Sequence, residues 1–211
     1  SAKKLFCDNG YNNTTVNDIV SHANSKLGLF TYYFESKDSV AADILKDYIN
    51  DVLNGLLTHE DICASNDALF TDMVEYRSYL KCTVTNPNIS RFFTELSATP
   101  AFIKQCAEIR GFYFNRLMDR CRYLSTGGVL GIECPDMAVS LSTGMDVQLS
   151  RDLCEGNLKT HFEEAVDCYF RLYYRLICDS MELINKDIAL SRKRVSSLNF
   201  TVGDSFSVIV E

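Results

Sequence analysis

A chain of 211 residues with 46% hydrophobic side chains and a net charge of −7 has the composition of a globular protein, which excludes a disordered or uniformly basic one. No run of eighteen apolar residues occurs and the opening SAKKLFCDNG lacks a signal-peptide core, so the expected compartment is the cytoplasm, with no membrane partner. Nine cysteines stand singly with no CxxC, and no GxSxG, HExxH or phosphate loop appears; the expectation is reduced thiols, no metal, no cofactor and no enzyme.

In chain order, AKKLFCDNGY reads as the end of a first helix stopping at Gly10. Thr15 is placed to cap a second, with Asp18 three residues on and Val16, Ile19, Val20 and Ala23 at helical spacing. Asn24-Ser25 breaks it. A third short helix runs from about Lys26 to Phe34, with Leu27, Phe30 and Phe34 as its buried stripe. Ser36 starts a fourth, longer helix carrying Val40, Ile44, Leu45, Tyr48, Ile49, Val52 and Leu56, long enough to connect two bodies.

Beyond His59 the pattern stays helical. Segments open at NDALF, NISRFF and Pro100, the last ending at Gly127-Gly128; another helix spans Pro135 to Gly156, and a final long one begins at Asn157. The tail SSLNFTVGDSFSVIVE has two β-branched and aromatic runs about Gly203-Asp204, which predicts a hairpin with glycine first in its turn, packed on another surface such as a second subunit. The expected class is all-α with a possible C-terminal β-hairpin, divided as 1–46, 47–195 and 196–211.

Residues 1–50 hold five basic and six acidic side chains, so the acidity is concentrated beyond them. Three short helices with a tight break between the second and third fit a helix-turn-helix, whose third element enters a DNA major groove; the same pattern also fits any small bundle.

Particular residues favour the first reading. Leu5-Phe6, Gly10-Tyr11, Thr14-Thr15-Val16, Asp18-Ile19, Ala23, Gly28, Tyr32, Phe34 and Ser36-Lys37 fall at fixed spacing over about 36 residues. The segment resembles the DNA-binding module of the tetracycline-repressor (TetR) family of bacterial transcription regulators. That resemblance implies a ligand-responsive repressor that binds a palindromic operator in double-stranded DNA as a homodimer. It further implies phosphate contacts from Thr15, Tyr32 and Lys37, and base contacts from Ser25, Lys26, Leu29 and Thr31. Lys26 would read guanine, Leu29 or Thr31 would meet a thymine methyl, and Gly28 would permit close approach. Leu29 and Thr31 depart from the residues usual at those positions, which leaves the operator sequence open.

The remaining helices would hold an effector and the dimer seam. Phe70, Tyr76, Phe93, Phe102 and Tyr113 are candidate pocket residues, with Arg110 and Arg116 to orient a small apolar or aromatic ligand, although an aromatic at helical spacing also fits plain core. Leu149, Phe162, Val166, Tyr169, Tyr173 and Leu176 are the candidate seam, on a stripe wider than one partner helix needs. The alternative is a thiol- or metal-sensing regulator triggered through Cys106, Cys121, Cys134, Cys154 or Cys168.

Overall fold

The computed structural model describes residues 1–120 and 135–211, so Cys121, Cys134 and the expected stop at Gly127-Gly128 lie outside the described residues. Three short helices, α1 (Ala2–Asn9), α2 (Val16–His22) and α3 (Leu27–Tyr33), precede α4 (Lys37–Leu56). With 20 residues, α4 is about 30 Å long and runs unbroken across residue 46. There follow α5 (Glu60–Cys63), α6 (Ala68–Thr85), α7 (Pro87–Leu96), α8 (Pro100–Arg120), α9 (Pro135–Glu155), α10 (Phe162–Tyr174) and α11 (Met181–Ser196). An antiparallel hairpin of β1 (Phe200–Val202) and β2 (Val208–Val210) ends the chain, pairing Thr201 with Ile209. The fold is thus all-α with a C-terminal hairpin.

Five helix starts among the described residues are written in their caps. Thr15 and Asp18 bond each other's backbone N–H reciprocally, as do Ser36 and Ser39. Asp67 accepts from the Phe70 amide, Asn86 from Asn88 and Ile89 ahead of Pro87, and Ser180 from Leu183.

Helix α6 forms the centre, packed by α4, α7, α8, α9 and α11. It buries polar side chains along with apolar ones: Asp72, Glu75, Arg77 and Ser78 are all enclosed. Arg77 is 0% exposed, and its guanidinium donates to Glu163 and, at 2.6 Å, to Asp167 on α10, while lying 5.1 Å over the Phe170 ring. Arg192 of α11 bonds Asp167 as well, so three helices meet at one charge network.

The single helix expected from Asn157 is two. Residues 157–161 are non-helical, and α10 closes through turn bonds from the amides of Leu176, Ile177 and Cys178 to the Tyr173 and Tyr174 carbonyls before Ser180 starts α11. Leu176, Ile177 and Cys178 are buried, which is why the hydrophobic run continues through the break.

The tail also departs from expectation. Gly203 has φ −86, so no glycine-first two-residue turn forms; Asp204–Phe206 makes a 3₁₀ turn in which Ser205 and Phe206 take φ of 61 and 62. The hairpin packs on its own chain, β2 along α4 and the 3₁₀ turn against α1. Gly55 permits this, since a Cβ there would lie 2.5 Å from Val210 Cγ2. Phe206 is buried on Phe92, with ring centroids 5.0 Å apart, and Phe92 stacks in turn on Phe6 of α1 at 5.5 Å.

Helix α7 grips α1 directly. Arg91 donates to the carbonyls of Cys7 at 2.6 Å and Asp8 at 3.1 Å, acceptors the end of α1 would otherwise leave open, and Glu95 accepts the Asn12 amide at 2.7 Å. Gly10, at φ 86, turns the chain between them; a Cβ there would meet the Glu95 carboxylate at 2.8 Å.

One buried group opposes the fold at neutral pH. Asp187 on α11 is 0% exposed and, among the described residues, neither of its oxygens accepts a hydrogen bond; Lys186 lies 3.4 Å away and is shared with Asp67. Burial, with the Asp67 charge adding to it, pushes this carboxyl up to about 6. The folded chain therefore binds a proton more tightly than the unfolded one, whose aspartate titrates near ~3.9. Stability falls as pH rises through that window, and above it the full cost, ~2–3 kcal/mol, is present. Asp187→Asn is expected to raise the Tm at pH 7.5 by roughly 5 °C and to give no gain at pH 4. A lower Tm at pH 7.5 in calorimetry would show that the carboxylate is satisfied after all.

Candidate DNA-binding head and effector cavity

Phe6, Tyr11, Ile19, Val20, Phe30, Val40 and Ile44 make the core of a head formed by α1–α3 and the start of α4. Between α2 and α3 the chain turns at Asn24, φ 49, with the Ser25 amide donating to the Val20 carbonyl at 2.9 Å. Only Phe30 of α3 turns inward. Leu27, expected in the buried stripe, is 52% exposed, and Phe34 is also exposed, because a seven-residue helix offers its support one line of contact and Phe34 lies past the helical phase, at φ −131.

The outward side of α3 presents Leu29, Thr31, Tyr32 and Tyr33, with Tyr32 80% exposed. Ser25 is half-buried just before it, and Lys26 is its N-terminal flanking residue, with no carboxylate within 4.0 Å among the described residues. A Cβ on Gly28 would meet nothing of this chain within 4 Å. Thr31 turns its hydroxyl back to the Leu27 and Gly28 carbonyls.

Thr15 and Lys37 are already engaged. The Thr15 hydroxyl donates to Asp18 at 2.7 Å, bonds that hold the Asp18 carboxyl below its usual range. Lys37 donates to the Tyr11 and Thr14 carbonyls, each at 3.0 Å, and lies 4.0 Å over the Tyr11 ring, leaving one ammonium hydrogen. Of the other lysines at the front of the head, Lys3 pairs with Asp47 at 3.0 Å and Lys4 with Asp8 at 3.1 Å.

Further along α4, Ile49 and Leu53 enter the wall of a cavity of about 70 Å³ completed by α6, α8 and Asp146 of α9. Tyr76, Arg110 and Tyr113 line it as the sequence suggested; Asp72, Glu75, Tyr79, Cys106 and Ile109 join them without a sequence signal. A wider vestibule of about 370 Å³ shares Ile49, Ile109 and Tyr113 with the cavity and opens between α4 and α8 past Phe112. The remaining expected pocket residues fall elsewhere. Phe93 and Phe102 pack edge-to-face on each other in the core, 5.0 Å apart, and neither they nor Phe70 line the cavity. Arg116 stands behind the wall, bonded to Glu75 and 4.7 Å over the Tyr113 ring.

Both arginines expected to orient a ligand are thus paired. Arg110 bonds Asp146 at 2.9 Å, and its guanidinium sits between the Tyr76 and Tyr173 rings at 5.1 and 5.3 Å. Asp146 also accepts from the Tyr76 hydroxyl at 2.6 Å. Burial pushes the Asp72 and Glu75 carboxyls up, Glu75 being held back by Arg116 and Asp72 by the Tyr174 hydroxyl.

The expected seam needs correction. Val166, Tyr169, Tyr173 and Leu176 are buried in their own chain, since α10 is packed by α9 and α11; Leu149 and Phe162 are half-buried. The wide stripe belongs to that internal packing. The outward faces of α9 and α10 carry Met137, Leu141, Cys168 and Leu172 instead. Among the sensor candidates, burial pushes the Cys106 and Cys154 thiols up, away from the reactive thiolate, and Cys168 is exposed.

The family model for bacterial regulatory proteins of the tetR family matches residues 1–44. An HTH-type transcriptional regulator encoded in the lacX 3′ region of Lactococcus lactis subsp. lactis is 26% identical over 95 residues, 41% of this chain and 48% of that protein. IcaR, the HTH-type negative transcriptional regulator of the biofilm operon icaADBC in Staphylococcus aureus, is 27% identical over 128 residues, 59% of this chain and 62% of that one. The matched stretch therefore spans about half to three-fifths of these relatives. A tetR-family transcription regulator from Shewanella sp. PV-4 shares the fold at TM-score 0.53 and 16% identity, over 85% of this chain and 95% of that one. A second, from Syntrophomonas wolfei, does so at 0.50 and 13%, over 94% and 92%. Residues 1–44 thus match the N-terminal domain of the tetR family of bacterial regulatory proteins, and the chain as a whole shares its fold with two solved tetR-family regulators.

Proposed function

We propose that this chain is a transcriptional repressor that binds a palindromic operator as a homodimer and is released by a small effector entering between α4 and α8. In this reading residues 1–46 are the DNA-binding head, 47–195 the effector and dimer body, and 196–211 a tail that braces the two. The observation that carries it is α4: its first turns form the head's core through Val40 and Ile44, and its later turns form the cavity wall through Ile49 and Leu53. A ligand that favours one position of α4 then biases the spacing of two heads, which is a coupling free energy between sites. The exposed apolar residues Met137, Leu141 and Leu172 supply the two-fold contact.

The test is binding to DNA flanking the chain's own gene, measured by fluorescence anisotropy over a salt series. The head carries few free cations, so the salt dependence is expected to be shallow. With Lys26 and Lys37 neutralising one phosphate each, two heads give a slope of log K on log salt of about −4 (~0.9 per phosphate). Lys26→Ala is expected to weaken operator binding about tenfold with an unchanged Tm. Equal affinity for operator and random duplex, or a chain that stays monomeric in sedimentation while binding, would overturn the reading.

A further inference from the structure

Among the described residues, one carboxylate in the wall of the effector cavity has no contact ion pair, the Arg110, Arg116 and Arg120 charges reaching it only from beyond 4.0 Å. Three carboxylates, Asp72, Glu75 and Asp146, stand in that wall. Arg110 answers Asp146 and Arg116 answers Glu75. Asp72 has no cation within 4.0 Å among the described residues; its one hydrogen bond is the Tyr174 hydroxyl, donating at 2.6 Å. A buried carboxylate left in this state attracts a positive charge, and an anionic ligand would meet the same field with the wrong sign, both guanidinium groups being taken.

The walls suit a cation as well. Tyr76, Tyr79 and Tyr113 line the cavity, and an aromatic face is negative at its centre. This protein already uses its tyrosines so: Arg110 lies over Tyr76 and Tyr173, and Arg116 over Tyr113. The inner space of about 70 Å³ takes a compact head group only. The vestibule of about 370 Å³ beyond it sets Ile49, Ile109 and Phe112 beside the charged Lys46 and Glu108, and takes a body with one apolar or aromatic face. Among the described residues no three metal-ligating side chains converge, so a bare metal ion lacks its coordination there.

We propose that the effector is an amphipathic organic monocation, its cationic head against Asp72 and the tyrosine faces, and its apolar or aromatic body in the vestibule between α4 and α8. This deepens the regulator reading and rests on the cavity being its effector site. The ligand class differs from the neutral aromatic that the side-chain inventory alone suggests. Asp72 would be its charge partner, Tyr79 and Tyr113 would supply ring faces, and Ile49 would carry the contact to α4.

The test uses three probes of one shape class on the full chain by isothermal titration: phenyltrimethylammonium, its neutral isostere tert-butylbenzene, and benzoate. The cation is expected to bind at least about tenfold tighter than either of the others. Asp72→Asn keeps the acceptor for Tyr174 and should retain the fold, checked by circular dichroism, while abolishing the preference of cation over isostere. Tyr79→Leu, a second variant on another helix turn, should weaken the cation more than the isostere. Equal binding of the neutral probe, tighter binding of benzoate, an unchanged preference in Asp72→Asn, or no binding of the cation at millimolar concentration would each overturn the proposal. These titrations contain no DNA, so their failure is separate from a failure of operator binding, which the anisotropy series reads alone.

Discussion

Arg77→Met is expected to lower the unfolding free energy by about 3–5 kcal/mol, the usual cost of removing one partner from a buried ion pair. For a chain of this size that is a fall in Tm of roughly 10 °C. The cause is local. Arg77 is fully enclosed, and without it Asp167 keeps only the half-exposed Arg192 against the charge it buries between α6, α10 and α11. The second variant that tests the account is Arg77→Met with Asp167→Leu. Replacing a buried pair by apolar groups of similar volume is often neutral, so the double variant should regain most of the loss in a thermal melt. A single variant as stable as the parent would mean that the network contributes no net stability.

Phe206→Ala is expected to cost a similar amount, about 3–5 kcal/mol, because it empties a site filled by a whole aromatic ring. Its effect should be regional as well as global. Phe206 packs its ring against Phe92, which stacks on Phe6, so amide exchange in α1 should accelerate more than in α10. The neighbouring Ser205→Gly works in the opposite direction. At φ 61 a non-glycine residue is strained by roughly 1 kcal/mol, so glycine there should raise the Tm slightly. Unchanged exchange in α1 after Phe206→Ala would show that the tail does not brace the head.

The head was legible because its signals are local. A capping pair three residues apart, a glycine at the end of α1 and a break at Asn24 are each readable within a turn, and the structure uses all three. What failed were inferences from hydrophobicity alone. Leu27 and Phe34 look like a stripe, but the helix that begins at Leu27 ends before Phe34 and is too short to bury it. The run from Phe162 to Ile188 looks like one helix because the residues of its break are themselves core. The same ambiguity misplaced the seam, as a stripe cannot say whether the helix that covers it comes from the same chain. The cavity was half legible: Tyr76, Arg110 and Tyr113 were found as large or charged residues on helices. Asp72 and Glu75 were missed because on α6 an acidic residue at helical spacing reads as a solvated face, whereas this helix is enclosed on all sides.

The grip of α7 on the end of α1 bears on how such a molecule could move. A head joined to the body through α4 alone would have a single pivot. Here Arg91, Glu95 and the Phe6–Phe92–Phe206 column fasten its opposite side. Fixed at two places, the head would travel with its protomer like the jaw of a calliper, and in the homodimer proposed above the separation of two such jaws would be set by how whole protomers tilt about their common axis.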